Sequence, residues 1–276
     1  MMTYEQRITL FIDILGFRNI VTQTETDEVY TDKIFSVLDS MKSEILSNEL
    51  FAEINITEVN KEELERIKEL QVRLSHELKN ESSIRITHFS DSIVMSIGLD
   101  SNMYVMSLIE YVCRLSYRLW RDFKILIRGG VSVDKLIHKE NGALFGPAMV
   151  KAYDYETNLA EYPRVVFDDL SYNIFRKSSL YGAMEKMIKP FSSKRENAGK
   201  IIEIKNGFEI NLGTSILHLL TSHFTFHPDK RKEVLEVLKN LHTDLNEIYD
   251  TIKSEKVKSK YKYLIDEINR IEYPKI

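Results

Sequence analysis

The stretch Phe11-Ile12-Asp13-Ile14-Leu15-Gly16-Phe17 decides how this chain is expected to fold. It completes an apolar run over residues 7–15 that is rich in β-forming residues, and Gly16 then breaks the strand and opens a turn. A carboxylate inside a buried strand is costly unless a charged group meets it. Asp13 is therefore either a structural acid, capping the turn or pairing with an arginine such as Arg128, or a functional one.

A second acid, Asp91, has a similar setting in Phe89-Ser90-Asp91-Ser92-Ile93-Val94. It lies between two short predicted strands and is expected at a hairpin tip beside the end of strand 7–15. Two converging carboxylates repel each other, and a pair of Mg²⁺ or Mn²⁺ ions ~3.5–4 Å apart removes that conflict and supports phosphoryl chemistry. The alternative is an ordinary turn aspartate.

Two glycine-containing segments accompany these acids. The backbone N–H groups of Ile14, Leu15, Gly16 and Phe17, between a strand and a helix, can hold phosphates, although an ordinary turn would look the same. Arg128-Gly129-Gly130 lies in an apolar strand, where the glycines permit close approach of another backbone. Arg128 either braces a carboxylate, meets a phosphate, or forms a purely structural ion pair.

The order of predicted elements favours an α+β fold with a ferredoxin-like core, a mostly antiparallel sheet flanked by helices. We expect this core over residues 1–175, with a charged helical insert at 49–80. Residues 176–276 are expected to form a C-terminal extension, packed on the core or on a partner, with a hairpin around Asn206-Gly207. The predicted strands cover 7–15, 84–89, 92–97, 125–133 and 164–168, and the predicted helices cover 27–48, 61–79, 103–122, 147–161, 229–252 and 256–271.

Composition excludes several classes of protein. The chain has 276 residues, 43% of them hydrophobic and 29% charged, with a net charge of −4. The charge offers no general attraction to nucleic acid or to an anionic membrane, and no apolar run approaches the ~20 residues of a membrane span. A single cysteine, Cys113, and no recognisable signal peptide predict a cytoplasmic protein.

Three segments in a fixed order resemble the class III nucleotidyl cyclases. FIDILGF resembles their first metal motif, ITHFSDSIVMSI resembles the hairpin carrying the second metal aspartate, and the block from IRGGVSV to EYPRVVFD resembles the region that follows. The resemblance covers residues 7–168. The segments FGPAMVKAYDYE and AEYPRV, with the C-terminal KVKSKYKYL, are most similar to the stand-alone pyrimidine cyclases of bacterial Pycsar antiphage systems.

This resemblance implies a reaction and a set of site residues. The expected reaction converts CTP or UTP to the 3′,5′-cyclic monophosphate and pyrophosphate, with two Mn²⁺ or Mg²⁺ ions in each site. Asp13 and Asp91 match the metal ligands, Ile14 matches a backbone-carbonyl ligand, and residues 14–17 match the phosphate loop. The resemblance also implies a homodimer with the active site at its interface, and a downstream effector that responds to the cyclic nucleotide.

Other positions depart from the purine cyclases of this family. The base-reading positions are Thr87 and Ala143, which carry neither the adenine-reading nor the guanine-reading residues, and this favours a pyrimidine. The positions that stabilise the transition state are Val150 and Asp154, in place of an asparagine and an arginine. Another cation must then substitute, with Arg128, Lys151 and Arg164 as candidates, or the protein is slow or inactive.

Two rival interpretations remain, and the departures at Val150 and Asp154 favour the first, whereas the predicted metal pair opposes it. The first is a catalytically silent cyclase-like sensor that binds a nucleotide and signals through the C-terminal helices. The second is a polymerase-like palm that joins nucleotides. The sequence does not separate CTP from UTP.

Overall fold

The fold was analysed in a computed structural model of the chain. The described residues are 3–32, 34–36, 84–90, 92–99, 103–139, 142–178, 181–185, 188–221 and 228–273. The predicted insert at 49–80, most of the predicted helix 27–48 and Asp91 lie outside them.

The strand that carries Asp13, β1 (Glu5–Ile14), lies in the middle of the sheet. It is followed by α1 (Phe17–Thr24), β2 (Arg85–Phe89), β3 (Ser92–Gly98), α2 (Met103–Phe123) and β4 (Ile127–His138). These four strands have the order β2-β3-β1-β4, and every neighbouring pair is antiparallel. This is the arrangement of a ferredoxin-like sheet, so the predicted α+β fold class is confirmed.

The two faces of this sheet differ in chemistry because strand residues alternate between them. One face of β1 is apolar and packs against a stripe of α2 that the sequence predicts, Val105, Leu108, Val112, Leu115 and Leu119. The other face carries polar residues, among them Thr9 of β1, Ser96 of β3 and Ser132 of β4, all fully buried. Asp13 belongs to this polar face.

A further set of elements extends the sheet beyond β4. These are β5 (Leu144–Phe145), α3 (Pro147–Asn158), β6 (Arg164–Phe167), α4 (Asp169–Arg176), α5 (Tyr181–Met184), β7 (Lys189–Asn197) and β8 (Lys200–Asn211). Strand β6 pairs with β4 in parallel, and β8 and β7 follow it, so the sheet has eight strands among the described residues. The C-terminal hairpin therefore continues the core sheet.

The predicted hairpin around Asn206-Gly207 is wrong in position. The chain reverses at Ala198 and Gly199, both in the left-handed region, and residues 206–207 lie inside β8. Gly207 marks a close approach, since a Cβ there would lie 2.1 Å from the carbonyl oxygen of Phe167. The Asn-Gly pair therefore lies within a strand and not in a turn. It occupies an irregular part of β8, where the pairing register with β7 shifts.

Three C-terminal helices form a second core against the far side of α2. They are α6 (Leu212–Thr221), α7 (Pro228–Thr251) and α8 (Glu255–Ile268). Trp120 of α2 is fully buried in this second cluster with Leu241 and Leu245 of α7. None of the described helices combines the length and the apolar composition that a bilayer span requires. The domain boundary at 175 stays a prediction.

Candidate active site

Asp13 lies near the end of β1 with one polar neighbour on each adjacent strand. The sheet register places it opposite Ser92 of β3 and opposite Arg128 of β4. Directly opposed residues of antiparallel strands extend from the same face, so their side chains can meet. Arg128 Nε donates a hydrogen bond to Asp13 Oδ2 at 3.1 Å. The structure therefore contains the ion pair between Asp13 and Arg128 that the sequence predicts as one alternative.

Arg128 also contacts a second carboxylate, which the sequence motifs do not predict. Its Nε lies 2.7 Å from Glu156 Oε1, and Glu156 is almost fully buried in α3. This contact lacks hydrogen-bond alignment, and Glu156 Oε1 has no aligned donor among the described residues. The other oxygen, Oε2, accepts a hydrogen bond from Thr157 Oγ1 at 2.8 Å. Burial raises the pKa of the Glu156 carboxyl, and the charge of Arg128 opposes this rise.

Gly130 explains how Glu156 comes so close to the strand. A Cβ at Gly130 would lie 2.3 Å from the carbonyl oxygen of Ala152 and 2.8 Å from the backbone nitrogen of Glu156. Only glycine therefore allows α3 to lie directly on β4, as the Arg128-Gly129-Gly130 pattern predicts. Ser132 Oγ ties the first turn of the helix to the same strand, donating to the Ala148 carbonyl at 2.7 Å.

The C-terminal helix α8 brings a second cation to this group. The charges of Lys260, Arg128, Glu156 and Asp13 are close enough to interact. Burial, followed by the charge of Arg128, lowers the pKa of the Lys260 ammonium. No described carboxylate forms an ion pair with Lys260 within 4.0 Å. Among the described residues, the group thus contains two carboxylates and two cations.

Thr87 lies on the same sheet face as Asp13 and ends a chain of hydrogen bonds. Arg7 Nε donates to Ser96 Oγ at 2.9 Å, Ser96 Oγ lies 2.8 Å from His138 Nδ1, and His138 Nε2 lies 2.8 Å from Thr87 Oγ1. Burial lowers the pKa of the His138 imidazole to about 4. A neutral imidazole that accepts from Ser96 at Nδ1 donates from Nε2 to Thr87, so the chain fixes one tautomer.

The turn after β1 is used partly by the fold. The Leu15 N–H donates to the carbonyl of Leu126 at 2.9 Å, and the Leu15 side chain packs against the C-terminal cluster. Ile14 is buried and pairs with Ile127. A phosphate loop here would therefore rely on the amides of Gly16, which has a left-handed φ of 80°, and Phe17, which begins α1.

The second predicted metal ligand, Asp91, lies outside the described residues. Its neighbour Ser92 is described and lies opposite Asp13 in the register of β1 and β3. The described part of the chain contains no cluster of three or more histidine, cysteine, aspartate or glutamate residues that could hold a metal ion. Asp91, the expected partner of Asp13 in a site for divalent cations, stays a prediction.

The other candidate cations are occupied elsewhere. Lys151 pairs with Asp134, and Arg164 pairs with Glu209 at 2.7 Å. Of the three cations proposed to replace the missing transition-state arginine, only Arg128 contacts Asp13. Asp154, at that arginine's position, pairs with a lysine of β8, Lys200.

The sequence contains only weak signals for two of the site residues, Glu156 and Lys260. The buried residues of α3 are Ala148, Ala152 and Glu156, a stripe at four-residue spacing that ends in the acid. Small residues facing a glycine-containing strand predict close packing, but not that the last position binds an arginine. Lys260 belongs to an alternating lysine run that resembles a solvated helix face, and only the docking of α8 distinguishes it.

Comparisons with known proteins agree only in overall fold. No protein-family model matches the chain, and no curated protein matches it. Among solved structures, the adenylyl cyclase CyaB from P. aeruginosa is 11% identical, with a TM-score of 0.46, over 75% of this chain and 94% of that one. The guanylate cyclase domain of RhGC from Catenaria anguillulae, in complex with GTP, is 12% identical, with a TM-score of 0.43, over 76% and 98%. Similarity at this level carries no information on activity.

Proposed function

We propose that this chain is a nucleotide cyclase that converts CTP or UTP to the 3′,5′-cyclic monophosphate and pyrophosphate. The observation that carries the proposal is the group at the end of β1, where Arg128 contacts both Asp13 and Glu156, and Lys260 interacts with all three charges, on the polar face of a ferredoxin-like sheet. Three cyclase-like motifs occur in the expected order, and two of them supply Asp13 and Arg128.

The residues present are compatible with a divalent cation if Arg128 finds another partner when Asp13 binds the ion. Asp13 is a carboxylate with a side chain 20% exposed, and carboxylate oxygens are the ligands that Mg²⁺ and Mn²⁺ prefer. The buried Glu156 Oε1, which lacks an aligned donor, offers Arg128 another partner when Asp13 binds a cation. Asp13, the Ile14 carbonyl and Asp91 would hold the ions.

Each described residue then has a definite role. Divalent cations held by Asp13, the Ile14 carbonyl and Asp91 would supply the Lewis acidity that activates a ribose 3′-hydroxyl and neutralises charge on the pyrophosphate. Lys260 would offer its ammonium to the triphosphate, because no carboxylate of the described residues forms an ion pair with it. Thr87 matches the base-reading position, and its hydroxyl, which lies 2.8 Å from His138 Nε2, would contact the base. The Gly16 and Phe17 amides would bind the phosphates.

A homodimer would cover the apolar residues that border this face. Phe89, Phe145, Val150 and Tyr153 are each about half exposed, and Tyr153 packs edge-on against Phe11, whose sheet position is two residues before Asp13. Exposed large apolar residues of this kind are candidates for such an interface. Production of a second messenger for a downstream effector in antiphage defence, as in the Pycsar systems, completes the proposal.

The experiment incubates the purified protein with each of the four nucleoside triphosphates and Mn²⁺ and separates the products by chromatography with mass detection. We expect a cyclic pyrimidine monophosphate and equimolar pyrophosphate. Asp13→Asn should lower the rate by more than about 100-fold. Loss of a residue that only supports a metal ligand costs up to about 100-fold, and Asp13 is proposed as a ligand itself. Asp266→Asn, which removes an exposed carboxylate paired with Lys262, is the matched control and should keep the wild-type rate.

A silent sensor is the second candidate, and one observation favours it. Asp13 is paired with Arg128, and the transition-state positions are an exposed valine and a lysine-bound aspartate. Nucleotide binding without any cyclic product would support the sensor and reject the cyclase. Dinucleotides or longer products would instead indicate a polymerase-like activity.

A further inference from the structure

Arg128 is shared between two carboxylates that differ in exposure. The Asp13 side chain is 20% exposed, whereas that of Glu156 is 3% exposed. The longer contact, 3.1 Å to Asp13 Oδ2, has hydrogen-bond alignment, and the shorter one, 2.7 Å to Glu156 Oε1, does not. The guanidinium is therefore aligned on the more exposed acid while a buried acceptor lies within reach.

Only one of the two acids can be released without a large cost. A buried carboxylate that loses its counter-charge is strongly destabilised, whereas a partly exposed one can exchange an arginine for a cation from solvent. A cation on Asp13 would also repel the positive guanidinium. Turning Arg128 from Asp13 Oδ2 towards Glu156 Oε1 removes this repulsion and supplies the aligned donor that Glu156 Oε1 lacks.

We infer that Glu156 is a positioning residue that takes up Arg128 when a divalent cation binds Asp13. This inference rests on the metal site of the proposed function. It gives Arg128 the role of pairing with Asp13 and Glu156, and it leaves Lys260 to bind the triphosphate. Arg128 thus covers Asp13 while the site is without a cation. Glu156 makes the release of Asp13 favourable by keeping the arginine paired in both states.

The test measures Mn²⁺ binding by electron paramagnetic resonance of free Mn²⁺, without nucleotide. Glu156→Gln keeps the size of the side chain but removes its charge, so Arg128 stays on Asp13. We expect the Mn²⁺ dissociation constant to rise about tenfold, as for loss of one partly buried ion pair. Adding Arg128→Gln to Glu156→Gln removes the competing cation and should restore binding to within about threefold of wild type.

A matched variant separates this role from general damage to the fold. Glu209→Gln also removes a buried, arginine-paired carboxylate, but one whose arginine is Arg164. It should leave Mn²⁺ binding unchanged. Circular dichroism of each variant confirms that native protein is measured.

The outcomes are distinct. Unchanged binding in Glu156→Gln, or no recovery in the double variant, overturns the inference, since a purely structural role would not be rescued by removing the arginine. Wild-type protein that binds no Mn²⁺ overturns both the metal site and the inference. The expected binding pattern in a protein that cyclises no nucleotide rejects the proposed reaction and leaves the role of Glu156 supported.

Discussion

Replacing Gly130 with alanine tests the packing on which the candidate site depends. The added Cβ would lie 2.3 Å from the Ala152 carbonyl oxygen, 2.7 Å from the Tyr155 Cβ and 2.8 Å from the Glu156 nitrogen. These atoms belong to the backbone of α3 or are fixed directly to it, so no side-chain rotation relieves the overlap. Helix α3 must instead move away from β4 by about 1 Å to reach ordinary contact.

The size of the effect follows from that displacement. Overpacking of a close-packed interior costs ~1–3 kcal/mol, and the upper end applies here because the helix moves as a unit. The displacement also separates Glu156 from Arg128, which are 2.7 Å apart in the structure. We therefore expect Gly130→Ala to lower the free energy of unfolding by about 3 kcal/mol.

The assay is urea unfolding followed by circular dichroism, with Gly182→Ala as the matched control. A Cβ at Gly182 meets no atom within 4 Å, and this glycine lies in a helix. That control should be unchanged or more stable by up to ~1 kcal/mol, because alanine favours the helix. Equal stability of the two variants would refute the close packing of α3 on β4.

Two further predictions concern protonation and substrate charge. The pKa of the His138 imidazole is 6.5 in the unfolded chain and about 4 in the folded protein. Because the unfolded chain binds the proton more readily, the free energy of unfolding should fall as the pH drops from 6.5 towards 4. At pH 5 the loss is about 2 kcal/mol relative to pH 7.5, measured by urea unfolding, and His138→Asn should not show it. Lys260→Gln should raise the KM for the nucleoside triphosphate about tenfold, since it removes one charge-assisted contact to phosphate.

Each of these predictions has a control in the same chain. His242 lies exposed on α7, so His242→Gln should keep the wild-type pH dependence of unfolding. Lys262, two positions after Lys260, is exposed and pairs with Asp266. Lys262→Gln should therefore keep the wild-type KM. A pH dependence that persists in His138→Asn, or equal KM values in the two lysine variants, would contradict the assigned roles.

The sequence predicted most of the fold because its signals are local. The apolar stripe of α2 and the run of β-forming residues in β1 come from residues only a few positions apart, and α2, β1 and β3 are present close to their expected bounds. The hairpin at Asn206-Gly207 failed because the same dipeptide suits a turn or an irregular strand position. Only the pairing of β8 with β6 and β7 distinguishes the two.

Local sequence was enough to predict that Asp13 lies in a buried strand, that Arg128 needs a partner, and that the glycines beside Arg128 admit another backbone. These follow from the cost of burying charge and from the missing Cβ. The contact of Arg128 with both Asp13 and Glu156, and the position of Lys260 within electrostatic range of them, depend on the packing of separate elements. Asp13 and Arg128 are 115 positions apart, and strand register and helix docking, not the local pattern, set such contacts.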